Sequence, residues 1–162
     1  MPRLRYHRFD FMKRRLLNLL TAASLPLLLS EANRQVGTMG AMGALRILYV
    51  EDHPDSREAM ERLLRHNGHD VRGVGSVGEA LAAAAKERFD LLIADVTLPD
   101  GDGCELLIRL RSAHPTLRAV AVTGHDREEL LKECRAAGFS EFVTKPVSFS
   151  TLLAAVDAAR AP

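Results

Sequence analysis

Five polar side chains follow or close short apolar runs in this 162-residue sequence. Glu51 and Asp52 come directly after Ile47-Leu48-Tyr49-Val50, and Asp95 closes Leu91-Leu92-Ile93-Ala94. Thr123 closes Ala119-Val120-Ala121-Val122, and Lys145 follows Phe142-Val143-Thr144. Three carboxylates crowded together repel one another in a low-dielectric setting, so they require a cation or protonation. A hard divalent ion with few protein oxygens and several waters suits them, which is the habit of Mg2+. The Lys145 ammonium supplies the remaining positive charge. Such a set fits phosphoryl transfer, where positioning and charge neutralisation do most of the work. A metal-bound carboxylate can attack phosphorus while Lys145 and the Thr123 hydroxyl hold two of the transferring oxygens. A cis bond at Lys145-Pro146 would fix the aim of the lysine, and for an X–Pro pair it costs only about 0.5–1 kcal/mol over trans. Any single Asp at such a position is more often a helix cap or a solvated loop residue. The inference rests on five compatible groups arriving together.

The elements that must position them alternate regularly from Ala44 onward. Arg46–Val50 reads as a buried strand. Pro54 suits the first turn of a helix carrying Met60, Leu63 and Leu64, which Gly68 stops. His69–Val74 reads as a second strand, and Ser76-Val77-Gly78-Glu79 has capping-box spacing for an Ala-rich helix running to about Arg88. Leu91–Asp95 is a third strand; Gly101-Asp102-Gly103 marks a loop before a helix over Glu105–Arg111. Ala119–Thr123 is a fourth strand, closed by Gly124. Asp126 can cap a helix containing Leu130, Leu131 and Cys134 that ends at Gly138. Phe142–Lys145 is the fifth strand, broken by Pro146, and Ser148–Arg160 the last helix. Short continuous apolar strands between helices predict an α/β fold, a doubly wound five-stranded parallel sheet covered on both faces. In such a sheet the functional crevice lies at the carboxyl ends of the strands, where all five polar groups fall.

Residues 1–43 differ from the rest. They carry seven Lys/Arg against two Asp/Glu, whereas residues 44–162 carry fifteen against nineteen. A mildly acidic folded part argues against a nucleic-acid footprint. In the tail, Met12-Lys13-Arg14-Arg15 precedes an apolar stretch from Leu16 to Leu29, too short to span a bilayer comfortably. Three readings stand: an extension upstream of a true start at Met39 or Met42, an amphipathic membrane-touching helix, or an export signal with a small-x-small site at Ser30-Glu31-Ala32. Residues 1–43 are thus a tail and linker, and 44–162 the domain. Cys104 and Cys134 show no metal-ligand spacing and read as buried reduced thiols, with a disulfide or a zinc site as the lesser alternatives. The six histidines read as surface residues.

The sequence closely resembles the receiver domain of two-component signalling, over about residues 45–160. The likeness rests on Ile47-Leu48-Tyr49-Val50-Glu51-Asp52, on Asp90-Leu91-Leu92-Ile93-Ala94-Asp95 followed by Leu98-Pro99-Asp100-Gly101-Asp102-Gly103, on Val122-Thr123-Gly124, and on Thr144-Lys145-Pro146. It implies the (βα)5 flavodoxin-like fold with strand order 2-1-3-4-5. Asp95 is then the phosphoacceptor, taking its phosphoryl group from a phosphohistidine on a histidine kinase or histidine phosphotransfer protein. Asp52 is a direct Mg2+ ligand, Glu51 acts largely through water, and Asp95 and the main-chain carbonyl of Thr97 complete the metal shell. Thr123 and Lys145 contact the phosphoryl oxygens. Phe142 matches the switch aromatic, whose ring moves inward when Thr123 is drawn to the phosphate. The signal then leaves through the face of the fourth helix, fifth strand and fifth helix, toward a protein partner in the cytoplasm; homodimerisation on phosphorylation stays open. Leu98-Pro99 replaces the frequent Met-Pro, a swap of similar volume, and Gly124 leaves extra room beside the phosphate. Thr97 and His125 hold the places that tune water access, and neither orients water well, which implies a moderately long-lived phosphoryl state.

Only Ala161 and Pro162 follow the last helix, so the expectation is an output by protein contact, without direct nucleic-acid binding and without stand-alone enzymatic activity. A haloacid-dehalogenase-type phosphatase would need an acid/base Asp where Thr97 stands. A flavin module would need a hydroxyl- and Gly-rich loop where Glu51-Asp52-His53-Pro54 stands. A receiver-like scaffold working by phosphorylation-independent binding would be expected to lack Asp95 or Lys145, and both are present.

Overall fold

A computed structural model describes residues 43–124 and 128–160. The tail readings above, and His125 and Asp126, lie outside the described residues. Five strands form the main sheet: β1 (Arg46–Val50), β2 (Asp70–Val74), β3 (Leu91–Asp95), β4 (Arg118–Thr123) and β5 (Glu141–Thr144). All neighbours pair parallel, in the order β2-β1-β3-β4-β5. The helices are α1 (Pro54–His66), α2 (Val77–Ala84), α3 (Gly103–Ala113), α4 (Glu128–Ala137) and α5 (Phe149–Ala158). This is the doubly wound α/β architecture expected from the alternation of elements.

Two cores flank the sheet because alternate side chains of each strand point to opposite faces. Ile47, Tyr49, Ile93 and Val120 pack with Leu64 of α1 and Leu152 and Val156 of α5. Leu48, Val50, Leu92 and Ala121 pack with Ala80 of α2, Leu106 and Leu107 of α3, and Cys134 of α4. β3 is buried along its whole length, as a central strand covered on both faces must be. The edge strand β2 is instead partly exposed.

Several boundaries move for local reasons. α2 stops at Ala84, earlier than Arg88, because Lys86 and Glu87 both donate to the Ala83 carbonyl and close the last turn tightly. Arg88 then turns out to the Ala113 carbonyl and the His114 ring. α3 starts at Gly103, since the Asp102 carboxylate accepts from the amides of Cys104 and Glu105 and caps the helix there. Between β3 and α3, Thr97–Leu98 and Gly101–Asp102 form a two-rung antiparallel ladder. The Asp100 carboxylate reaches across to α2, accepting from the amides of Val77 at 2.8 Å and Gly78 at 2.9 Å. Gly138 ends α4 with a φ of 108°, a conformation that side-chain-bearing residues avoid.

Two expectations need correction. Cys104 and Cys134 are not separate thiols: they form a disulfide with a Cα–Cα separation of 5.3 Å. Strand order sets α3 beside α4, which sequence spacing could not show. The histidines are not all superficial either. His114 is buried with Nε2 at 3.1 Å from the Ala84 carbonyl, and His69 is buried beside the Leu45 amide. Among the described residues, no helix is long and apolar enough to cross a membrane.

Candidate functional site

Parallel pairing brings the carboxyl ends of β1, β3, β4 and β5 to one edge of the sheet. Glu51 follows β1; its amide donates to the Val74 carbonyl of β2 at 3.1 Å, and its side chain reaches Lys145. It is 3% exposed, and Asp95 at the end of β3 is 7% exposed. Two buried carboxylates so close in the fold need a counter-charge. Lys145 provides it: its Nζ lies 2.6 Å from Asp95 Oδ2 and 3.0 Å from Glu51 Oε2. Burial works against the charged lysine, but the hydrogen bonds and charges of Asp95 and Glu51 prevail and hold its pKa above the ordinary lysine value.

The lysine is aimed by the sheet. Its amide donates to the Thr123 carbonyl at 2.8 Å, continuing the β4–β5 register in which Thr123 faces Thr144. Thr123 is itself buried at the end of β4. The Lys145–Pro146 peptide is cis. The two Asp95 oxygens are distinguished, since Oδ1 accepts from the Thr97 amide at 2.9 Å while Oδ2 takes the lysine. Behind Asp95, the Gly103 amide donates to the Val96 carbonyl at 2.9 Å. A Cβ on Gly103 would press into the Asp95 carbonyl oxygen and lie 3.1 Å from the Val96 Cα, so the helix approaches the acceptor loop as closely as only glycine permits.

Asp52 is more open, and the structure groups it with Glu51 and His53 as a cluster able to hold a metal ion. The His53 Nδ1 lies 2.8 Å from Asp52 Oδ1 and 3.3 Å from Glu51 Oε1. Desolvation acts to raise the Asp52 pKa, yet the His53 hydrogen bond and charge and the Lys145 charge hold it below the ordinary carboxylate value. The same hydrogen bond and the charges of Asp52 and Glu51 raise His53. Three carboxylates set against one buried-side ammonium fit a hard divalent cation: the donors are oxygen-rich, and their charge exceeds what Lys145 alone balances. Behind the cluster, burial raises the Tyr49 phenol far above its usual value, with Glu51 and Asp95 adding to the effect.

Two functional neighbours escaped the sequence reading. His53 is one. Arg57 is the other, its guanidinium donating to the main-chain carbonyls of Glu51 at 2.6 Å and Asp52 at 3.3 Å. The signal for it was Pro54, which fixes the start of α1 and so returns Arg57, one turn later, to the loop it follows. Phe142 stands apart from the acid pocket, half-buried in β5, with the Arg135 guanidinium 4.9 Å from its ring centroid. It pairs in register with Ala121, two residues before Thr123. A groove of about 600 Å³ opens beside the pocket between α1 and the Lys145–Val147 turn, lined by Tyr49, Glu51, Met60 and Lys145 among others.

Residues 47–157 match the model of the response regulator receiver domain family. The chain is 39% identical over 82 residues to the DNA-binding transcriptional activator DevR/DosR of Mycobacterium tuberculosis, covering 51% of this chain and 38% of that protein. It therefore spans well under half of that longer relative. Among solved structures, a CheY-like response regulator receiver domain protein from Methanospirillum hungatei superposes with a TM-score of 0.68 at 30% identity, over 72% of this chain and 93% of the other. The chemotaxis response regulator CheY4 of Vibrio cholerae gives 0.67 at 29% identity, over 72% and 98%.

Proposed function

This chain belongs to the response regulator receiver family of two-component systems, and from that premise we propose that Asp95 accepts a phosphoryl group in a Mg2+-dependent reaction. The observation that carries the proposal is Lys145, held between two buried carboxylates at 2.6 and 3.0 Å where four strand ends converge. An ammonium already resting on the acceptor is placed to follow negative charge onto an incoming phosphoryl group.

In this reading Asp52, Asp95, the main-chain carbonyl of Thr97 and Glu51 would hold a divalent ion, which would supply charge neutralisation for the carboxylates and the phosphoryl oxygens. Everything else comes from the chain. The Thr97 amide fixes Asp95 by one oxygen. The Asp95 carboxylate attacks phosphorus, forming an acyl phosphate, while the phosphorus–nitrogen bond of a donor phosphohistidine breaks and its electron pair returns to the imidazole. Lys145 leaves the carboxylate for a phosphoryl oxygen, and the Thr123 hydroxyl takes another. Withdrawal of Thr123 from the sheet edge makes room for the Phe142 ring, a population shift between two packings that alters the α4–β5–α5 face. The donor is a histidine kinase or histidine phosphotransfer protein in the cytoplasm, and the altered face docks a downstream protein. Thr97 offers the acyl phosphate neither a carboxamide nor a carboxylate to orient water, which favours a moderately long-lived state. The chain acts as a switch in this account.

The test is labelling of the full chain with a small-molecule acyl or amido phosphate, with and without Mg2+, followed by intact mass. Wild type gains one phosphoryl group only with the metal, and Asp95→Asn gains none. Labelling of Asp95→Asn at the wild-type level removes the assignment. A wild type that never labels leaves a scaffold that binds without phosphorylation.

A further inference from the structure

The disulfide lies where it can control the switch. Cys104 stands in the first turn of α3, one residue after the glycine that lies against the Asp95 carbonyl. Cys134 stands in α4, one residue before the arginine that covers the Phe142 ring. The Cα atoms are 5.3 Å apart, within the range a disulfide spans without backbone movement. The pair therefore ties the acceptor loop's anchor to the helix that frames the switch aromatic.

Its surroundings argue against a mere staple. Two apolar cores already close both faces of the sheet, and a domain of this size folds without cross-links. In a reducing compartment such as the cytoplasm, a disulfide is usually transient and catalytic or redox-sensing. The two residues also differ in burial, with Cys104 8% exposed and Cys134 fully buried.

We propose that Cys104 and Cys134 form a reversible thiol–disulfide clamp that, when closed, permits phosphorylation but blocks its transmission to α4. The regulatory part rests on Asp95 being the phosphoacceptor. Closure uses a small-molecule disulfide of the glutathione type. The Cys104 thiolate attacks one sulfur of glutathione disulfide and expels one glutathione thiolate, giving a mixed disulfide. The Cys134 thiolate then attacks the Cys104 sulfur, forms the Sγ–Sγ bond and releases the second glutathione. Two protein thiols lose two electrons and two protons, and one disulfide becomes two thiols. Opening is the reverse, driven by excess reduced glutathione.

The experiment uses the full chain, equilibrated across glutathione ratios, alkylated and weighed. Wild type should show two blocked sulfurs or none. Under oxidation, Cys134→Ala should trap one glutathione on Cys104, while Cys104→Ala leaves Cys134 unmodified. Each wild-type form is then labelled with an acyl phosphate and Mg2+, and amide exchange is followed in Glu128–Ala137. The reduced form should change its exchange by about 5-fold or more, the size of a typical coupling between sites; the oxidised form should take up the phosphoryl group with no such change. Thiols that alkylate independently, or remain free in glutathione disulfide, overturn the clamp. Equal α4 responses in the two forms overturn its regulatory role. Should neither form take up phosphoryl, the phosphoacceptor reading is refuted and the regulatory role with it, whatever the thiol count.

Discussion

Replacing Lys145 by Met keeps the apolar stem and deletes the charge that Glu51 and Asp95 share. Removing one partner of a fully buried pair costs about 3–5 kcal/mol, because the remaining charge is stranded. Here two carboxylates are stranded, but the lysine side chain is 29% exposed, so water already screens part of the attraction. The expected loss therefore falls below that range, at about 2–3 kcal/mol in chelator at neutral pH. Asp95→Asn in the same background removes one of the two stranded charges. The double variant should then be more stable than the sum of the single changes implies, by about 1–2 kcal/mol, as for groups in direct contact. Urea melts of the four proteins, followed by circular dichroism, give both numbers from midpoints at constant slope. Added Mg2+ should raise the midpoint of Lys145→Met more than that of wild type, because the acid cluster has lost its internal cation and binding stabilises the folded state by mass action. A Lys145→Met protein within about 0.5 kcal/mol of wild type in chelator, or a strictly additive cycle, would refute the idea of one shared pocket.

Other outcomes follow from neighbouring contacts. Arg57→Met removes the donors to the Glu51 and Asp52 carbonyls; it should cost about 1–2 kcal/mol and weaken the Mg2+-induced shift in melting temperature, whereas Arg57→Met with an unchanged metal response would make the arginine purely structural. Gly103→Ala forces a Cβ against the Asp95 carbonyl, so a loss of about 1–3 kcal/mol in urea melts is expected from overpacking, with slower phosphoryl uptake as the acceptor shifts. Desolvation and the Arg160 charge depress the His69 pKa in the folded state. As pH falls through the ordinary histidine range the unfolded chain binds the proton first, so the contribution of His69 is present above that range and lost below it. Wild type should lose more stability than His69→Gln between pH 7.5 and 5, roughly spanning the reference value, when melts are compared across that interval.

How legible the fold was depended on how local its causes are. β1, β3 and β4 are buried on both faces, so each had to be a continuous apolar run, and each appears as one. The polar groups at their ends were legible for the same reason: the break in an apolar run marks where the strand leaves the core. Alternation then placed Glu51, Asp95 and Lys145 at one edge, where the lysine joins the two carboxylates directly. What the sequence concealed depends on distant pairing. Asp100 caps a helix that begins 23 positions earlier, and no spacing rule links the two. Cys104 and Cys134 meet only because the strand order sets α3 against α4. His53 and Arg57 depend on the turn after Val50 folding back over its own carbonyls, a conformation that residue types do not encode at short range. His114 reads as polar and superficial until the Ala84 carbonyl and Arg88 are seen to close over it.

Asp100 and Asp102 moor the loop after Asp95 at two separate helices, one carboxylate on the start of α2 and the other on the start of α3. Between these moorings the chain has no slack. Lengthening it by a single residue would unseat one cap or the other, so this stretch should reject insertions that surface loops ordinarily absorb. Libraries that randomise length here should return only the parental spacing.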